Sequence, residues 1–514
     1  MTSRFPMFDF LARRAELGPG RAAMEDLVTG DQVSYLELHQ RSARSVALLA
    51  TLGVSRGDRV AILCRNRIEF FELLFACARL GAILVPLNWR MPVRELRPLL
   101  EDCSARCLIH GLEDADAALA LATPSLVLLD LDDETAVGYQ SCRDRLEPCA
   151  GSRQWWSDET WYLLYTSGTT GAPKAVIQTY GMALINFINI SQGMGMRAED
   201  TTLNYLPLFH TGGINLITLP SLIMGARVLI TPGFDLDRTV DLIEAGRLDS
   251  FFGVPAVYLA ISLHPRFPEM DLAKVRCWGC GGAPMPDTLF REYAELGATV
   301  LNGMGMTETG PTAFLMDADN APGRIGSVGK PQIMTAVRLV GVDGKDVQQG
   351  EIGEVWFFGP GITPGYYNRP DATRAAFADG GWLRSGDLAR QDGDGYYYVV
   401  GRVKEMYISG GENVYPAEVE NVLVEHPTIL EAAVVGEPDP RWGETGSAYL
   451  MLRPGQHIPT EQELIQFCRE RVAGYKVPAR FSFVSEFPRT AAGKIQKHRL
   501  GAGSGTTIVR QNGK

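Results

Sequence analysis

An α/β fold of more than one domain is predicted by the 514-residue sequence: doubly wound α/β subdomains, then a small β-rich subdomain, then a small α+β domain. Three observations carry this reading. The length exceeds what one hydrophobic core supports, so about two to four domains or subdomains are expected. Over the first three hundred or so residues, short apolar runs alternate with stretches of helical period, as parallel sheets with helical crossovers require. From about residue 323 the texture changes to short strands and turns, and after Gly401-Arg402-Val403-Lys404-Glu405 mixed helices and strands resume.

The elements follow in order. The first 60 or so residues read as a helix, a hairpin turning at Thr29-Gly30-Asp31-Gln32, and a helix over 36–52. Arg59-Val60-Ala61-Ile62-Leu63 is a strand, 69–80 a helix, Ala82-Ile83-Leu84-Val85-Pro86-Leu87 a strand and 92–100 a helix. Cys107-Leu108-Ile109-His110, 125–130 and Trp161-Tyr162-Leu163-Leu164-Tyr165 continue the strands, and 179–194 is a helix. Residues 203–210 read as a strand running into a turn, with further strands at 227–230 and 250–254, and 299–302 leads into Gly303. Residues 353–359 and 395–401 are strands of the β-rich part. The C-terminal domain has a helix over 416–425, a strand over 429–435, a helix over 461–473 and a loop over 488–495. Residues 501–514, opening Gly501-Ala502-Gly503-Ser504-Gly505, are expected to be a flexible tail.

Composition narrows the function. Hydrophobic residues make up 46% and charged ones 21%, so the chain is globular. A net charge of −11 argues against a nucleic-acid footprint, and an anionic substrate would be received by local positive charge. The opening Met1-Thr2-Ser3-Arg4-Phe5-Pro6 lacks a signal-peptide core, and no apolar run reaches membrane-spanning length. Nine cysteines fit reduced thiols and a cytoplasmic location. Cys277-Trp278-Gly279-Cys280 has metal or redox spacing but no second pair, so a structural role is expected.

Chemistry concentrates after the strand at 161–165. In Thr166-Ser167-Gly168-Thr169-Thr170-Gly171-Ala172-Pro173-Lys174, glycines let the backbone approach a polyanion, hydroxyls and N–H groups donate to it, and an ammonium balances charge. It is not a Walker A loop, because Ala172 and Pro173 separate Gly171 from Lys174. The decapeptide 165–174 resembles the phosphate-binding loop of the adenylate-forming superfamily, which includes acyl-CoA synthetases, adenylation domains and luciferases.

Further stretches resemble the same family in its own order. Gly303-Met304-Gly305-Met306-Thr307-Glu308 is similar to its adenine and magnesium motif, which implies Thr307 at the α-phosphate and Glu308 on Mg²⁺; Met304 departs from the usual Tyr. A lone carboxylate with phosphates suits that hard cation. Gly381-Trp382-Leu383-Arg384-Ser385-Gly386-Asp387 matches the ribose motif, and Gly401-Arg402 the second nucleotide anchor. The resemblance also assigns Gly282, Ala283, Pro284, Asn302, Gly303, Gly305 and Val399 to adenine and ribose. It implies a hinge at Lys404, a pantetheine tunnel at Gly410, Gly411 and Glu412, and a catalytic lysine, Lys494, in Pro488-Arg489-Thr490-Ala491-Ala492-Gly493-Lys494-Ile495. The implied architecture is an AMP-binding domain over 1–402 and a mobile lid over 403–500.

The implied reaction joins a carboxylic acid to AMP and then transfers the acyl group to coenzyme A, with ATP and Mg²⁺ as cofactors. The implied acyl pocket comprises His210, Gly212, Gly213, Asn215, Val254, Gly281, Thr309, Gly310 and Pro311. None is a lysine or arginine, so a dicarboxylate lacks an obvious partner. Room at Gly212 favours a medium- or long-chain fatty acid, with an aryl acid as the alternative. His210 has two readings, a pocket gate and a plain core histidine. Loading of a carrier protein and non-catalytic nucleotide binding compete with the ligase reading; a homodimer is one assembly the sequence allows.

Overall fold

The computed structural model describes residues 4–166, 173–490 and 493–500, and the short strand Ile508–Val509. Two sheets form the bulk of the chain. The first runs in the order Lys174–Thr179, Thr160–Thr166, Ile83–Pro86, Arg59–Leu63, Cys107–His110, Val127–Asp130, parallel except for its antiparallel first pair. The second places Val300–Met304, Cys277–Cys280, Ser250–Gly253, Thr201–Asn204 and Arg227–Ile230 side by side and parallel.

One core joins them. Helix Ile68–Leu80 is apolar on nearly every face and almost wholly buried, as a helix between two layers must be. It packs with Leu84, Ile109 and Leu164 of the first sheet and Met24, Val228 and Ile230 of the second. It ends where Gly81 turns left-handed at φ 67°. Helix Tyr35–Thr51 starts on the Ser34 side chain, which accepts from the Glu37 N–H, and buries Leu38, Val46 and Leu49.

The β-rich part is an antiparallel sheet of Ala336–Val340, Ile352–Phe358 and Trp382–Gln391, with Phe377–Ala378 and Tyr397–Arg402 both paired to the last of these. The C-terminal domain has its own core, in which Val419 and Leu423 of helix Pro416–Val424 meet Val434, Leu450 and Phe481. Its sheet is dominated by the long antiparallel pair Ile429–Asp439 and Gly443–Leu452.

Several expectations change. The N-terminal hairpin, Ala22–Asp26 and Gln32–Ser34, joins the second sheet beside Arg227–Ile230. The strand expected over 203–210 is Thr201–Asn204. The tail contributes Ile508–Val509, paired antiparallel with Phe483 and Val484. Cys277 and Cys280 are three apart in one strand, so they point to opposite faces, both buried, and do not converge on an ion. No helix among the described residues is long and apolar enough to cross a membrane.

Candidate active site

A cavity of about 280 Å³ opens where Val300–Met304, the segment 282–286 and Tyr397–Arg402 face the C-terminal domain. All ten positions that sequence assigns to adenine and ribose line it: Gly282, Ala283, Pro284, Asn302, Gly303, Met304, Gly305, Asp387, Val399 and Arg402. Lys494 lines it from the other side. The wall is tight. A Cβ on Gly305 would stand 1.5 Å from the Pro311 carbonyl oxygen, so no other residue fits there. Asn302 Nδ2 donates to the Ser327 carbonyl at 3.0 Å, and Met304 and Val399 each pack against the β-rich core at its edge.

Strand pairing sets Asp387 directly opposite Arg402, whose Nε donates to Oδ1 at 2.8 Å. Burial raises the Asp387 pKa, while Arg402 and Lys494 pull it back down. The Lys494 pKa is lowered, first by burial and then by Arg402, with Asp387 and Glu405 opposing. A half-buried ammonium beside a carboxylate and a guanidinium is suited to meeting added negative charge.

The loop bearing Lys494 is pinned. Arg489 clamps Glu431 with two bonds of 2.7 and 2.6 Å and donates to the Gly493 carbonyl at 3.1 Å. Thr490 N–H donates to the Lys494 carbonyl at 2.7 Å, and Lys494 N–H to Thr490 Oγ1 at 3.2 Å. Three residues on, Lys497 pairs with Glu405 and Glu420.

The phosphate corner lies on the first sheet. Thr166 ends one strand and Lys174 begins its antiparallel partner, so the two ends of the loop stand opposite each other. Ser167, Gly168, Thr169, Thr170 and Gly171 lie outside the described residues. Thr307 and Glu308 sit in the single turn Thr307–Thr309 and are buried, and Gln178 Nε2 holds the Thr307 carbonyl at 2.9 Å. Burial raises the Glu308 pKa; its hydrogen bonds from Tyr366 and from its own backbone N–H, then Arg402 and Lys174, lower it. Tyr366, which sequence did not single out, donates to Glu308 Oε1 at 2.8 Å. No group of three His, Cys, Asp or Glu among the described residues could cage a metal alone. A single carboxylate fits Mg²⁺ held mainly by nucleotide phosphates and water, and Glu308 would be the protein's ligand.

The acyl positions are not gathered in this way. Of the nine, only Val254 lines the cavity. Asn215 faces inward: its Oδ1 accepts from Tyr162 OH at 2.6 Å and its Nδ2 donates to Thr211 and Gln178. Thr309 is spent within its own turn, on Met306 and Pro311. Gly310 turns at φ 89°, Pro311 is buried, and Gly281 lies against the Gly303 carbonyl. Gly212 and Gly213 open a short π-helix, Gly212–Leu216. A Cβ on Gly213 would meet the Pro207 and Leu206 carbonyls at 2.3 and 2.5 Å; one on Gly212 would make ordinary contacts of 3.4 Å or more. His210 Nδ1 accepts from the Gly212 N–H at 3.2 Å, and burial pushes its pKa down to about 4.

Gly410 and Gly411, at φ 61° and 89°, turn the hairpin between Tyr407–Ser409 and Glu412–Val414. They and Glu412 are exposed and take no part in lining the cavity. Lys404 lies in the exposed turn just after the strand Tyr397–Arg402.

A family model described as AMP-binding enzyme matches residues 11–367, and one described as AMP-binding enzyme C-terminal domain matches 418–494. Feruloyl-CoA synthase of an Amycolatopsis species is 40% identical over 94% of this chain and 96% of its own. A long-chain-fatty-acid–CoA ligase of Mycobacterium tuberculosis is 35% identical over 95% and 96%. The structure of o-succinylbenzoate CoA synthetase from Bacillus subtilis, in complex with its acyl-adenylate intermediate, superposes with a TM-score of 0.87 at 32% identity, covering 97% of this chain and 99% of that one.

Proposed function

This chain belongs to the AMP-binding enzyme family and is an ATP-dependent acid–thiol ligase that works through an acyl-adenylate, and from that premise we propose that its acid is aromatic. The observation that carries the choice is the 40% identity, along almost the whole chain, to a feruloyl-CoA synthase, against 35% for the fatty-acid ligase. The preference for a fatty acid drawn from Gly212 is thereby replaced by its aryl alternative. Packing supports the change. Gly213, Asn215 and Thr309 are committed to the surrounding structure, which leaves fewer positions free to wall a long tunnel.

In this reading the cavity takes adenosine, with the ribose hydroxyls on Asp387 and the phosphates between the 166–174 loop and Thr307. Magnesium, carried by ATP and Glu308, supplies charge neutralisation. The carboxylate of the acid attacks the α-phosphorus, pyrophosphate leaves, and the Lys494 ammonium balances the charge that builds on the reacting oxygens. The thiol of coenzyme A then attacks the acyl carbon and AMP leaves. Gly410 and Gly411 serve that second step once the C-terminal domain has turned about Lys404, bringing a backbone without side chains beside the pantetheine.

Pyrophosphate release tests this across hydroxycinnamic, benzoic and arylacetic acids and fatty acids of increasing length, each with coenzyme A, pantetheine or no thiol. An aryl acid is expected to lead in kcat/KM by at least about tenfold, a difference of about 1.4 kcal/mol. A medium- or long-chain optimum overturns the aromatic assignment and leaves the ligase standing.

A further inference from the structure

We infer that Tyr366 is a positioning residue for the metal-binding carboxylate, holding Glu308 in place while keeping it apart from Lys174. The inference rests on the assignment of Glu308 to magnesium given above. Its hydroxyl donates to Glu308 Oε1 at 2.8 Å, and its ring carries the Lys174 ammonium 5.2 Å from the centroid. No ion pair joins Lys174 to Glu308 among the described residues. One side chain thus touches an anion with its tip and a cation with its face. Without such a spacer, a buried carboxylate and a nearby ammonium gain most by pairing with each other, and neither would then face phosphate or metal.

Tyr366 is itself tied down. The segment 363–367 runs along the strand Lys174–Thr179: Ile177 N–H donates to the Gly365 carbonyl at 3.1 Å and Tyr367 N–H to the Ala175 carbonyl at 2.9 Å. Thr363 N–H donates to the Glu308 carbonyl at 2.8 Å, and its hydroxyl to the Ile177 carbonyl at 2.7 Å. Tyr366 N–H donates to Thr373 Oγ1 at 3.0 Å. The same segment therefore fixes the backbone of Glu308 and the hydroxyl that orients its side chain. Tyr366 bonds Oε1, and among the described residues no other side chain is bonded to the Glu308 carboxylate, which leaves Oε2 as the oxygen for a metal.

The test compares Tyr366→Phe, Tyr366→Leu and Glu308→Gln with the parent enzyme. Mn²⁺ is titrated by electron paramagnetic resonance in the presence of a non-hydrolysable ATP analogue, and analogue binding without metal is measured by calorimetry. Tyr366→Phe keeps the ring under Lys174 and should weaken Mn²⁺ by about tenfold, the scale of one hydrogen bond to a charged group, with metal-free analogue binding unchanged. Tyr366→Leu should also weaken metal-free binding, because Lys174 loses its support. Unchanged Mn²⁺ affinity in Tyr366→Phe with a loss in Glu308→Gln overturns the role of Tyr366 alone. Unchanged affinity in both shows that Glu308 is not the ligand and removes the premise. A matched loss of metal-free binding and of thermal stability in Tyr366→Phe also overturns it, since that is what a purely structural tyrosine does.

Discussion

The nucleotide wall and the acyl wall are built differently. Every adenine and ribose position lines one cavity, whereas of the nine acyl positions only Val254 does. The first wall is made of backbone segments and charges that act where they stand, such as Asp387 opposite Arg402. The second is continuous with the packing beneath it, where Asn215 is held by Tyr162 and Thr211. The positions proposed for the nucleotide are thus gathered by short local segments, whereas those proposed for the acid are embedded in the packing of a whole region.

The largest effect that bears on this contrast is at Lys494. Lys494→Ala should lower acyl-adenylate formation by about a hundredfold or more, the scale of losing one preorganised charge-stabilising group. Thioester formation from supplied acyl-AMP should be nearly unaffected. Loss of both half-reactions would mean that Lys494 acts through folding. Stopped-flow measurement of each half-reaction separates the two.

Two adjacent glycines offer the next contrast. Gly213→Ala places a methyl against two backbone carbonyls and should destabilise by about 1–3 kcal/mol, the usual range for overpacking. Gly212→Ala meets only side-chain atoms at ordinary distance and should fold as the parent while changing the ranking of acids. Denaturant melts beside an acid panel read both. Equal destabilisation would place Gly212 in the packed layer rather than at the pocket.

The pH profile of adenylation should be narrowed from both ends. Lys494 must be charged, and its pKa is lowered, so activity falls with rising pH earlier than the 10.5 of an ordinary lysine would set. Asp387 must be ionised, and its pKa is raised, so the acidic limb lies above the 3.8 of an ordinary aspartate. Lys494→Arg, whose guanidinium stays charged, should move the alkaline limb upward in whatever rate it keeps. The smallest expected effect is at Met304. Met304→Tyr should lower the KM for ATP a few-fold without reordering the acids, and a change in acid preference would assign Met304 to the acyl side.

The sequence was most legible where short, charged or glycine-rich runs come together in the fold. Asp387, Arg402 and Lys494 are far apart in the chain yet meet at one cavity, and their motifs named them. Tyr366 was not legible, because Gly365-Tyr366-Tyr367 does not say which ring turns toward Glu308; the pairing of Val176 with Tyr366 decides that. Asn215 came to the acyl pocket through the resemblance alone, which does not say that its amide would be engaged by Tyr162, Thr211 and Gln178. The N-terminal hairpin reads correctly as a hairpin, but its place beside Arg227–Ile230 is a contact some two hundred residues away that no local period encodes.

Arg402 closes the strand paired to Asp387, and the turn at 403–405 starts at the next residue. A pivot there would lie just outside the proposed nucleotide anchor, so the ribose contacts would belong to the stationary side and Lys494 to the moving side. Kinetically this predicts an order of departure. Pyrophosphate, held by the loop and the lysine's face, is free to go when the domain turns, whereas AMP stays on Asp387 until the thiol has taken the acyl group. Initial-rate patterns should then be ping-pong with pyrophosphate as the first product released, and AMP should inhibit in competition with ATP.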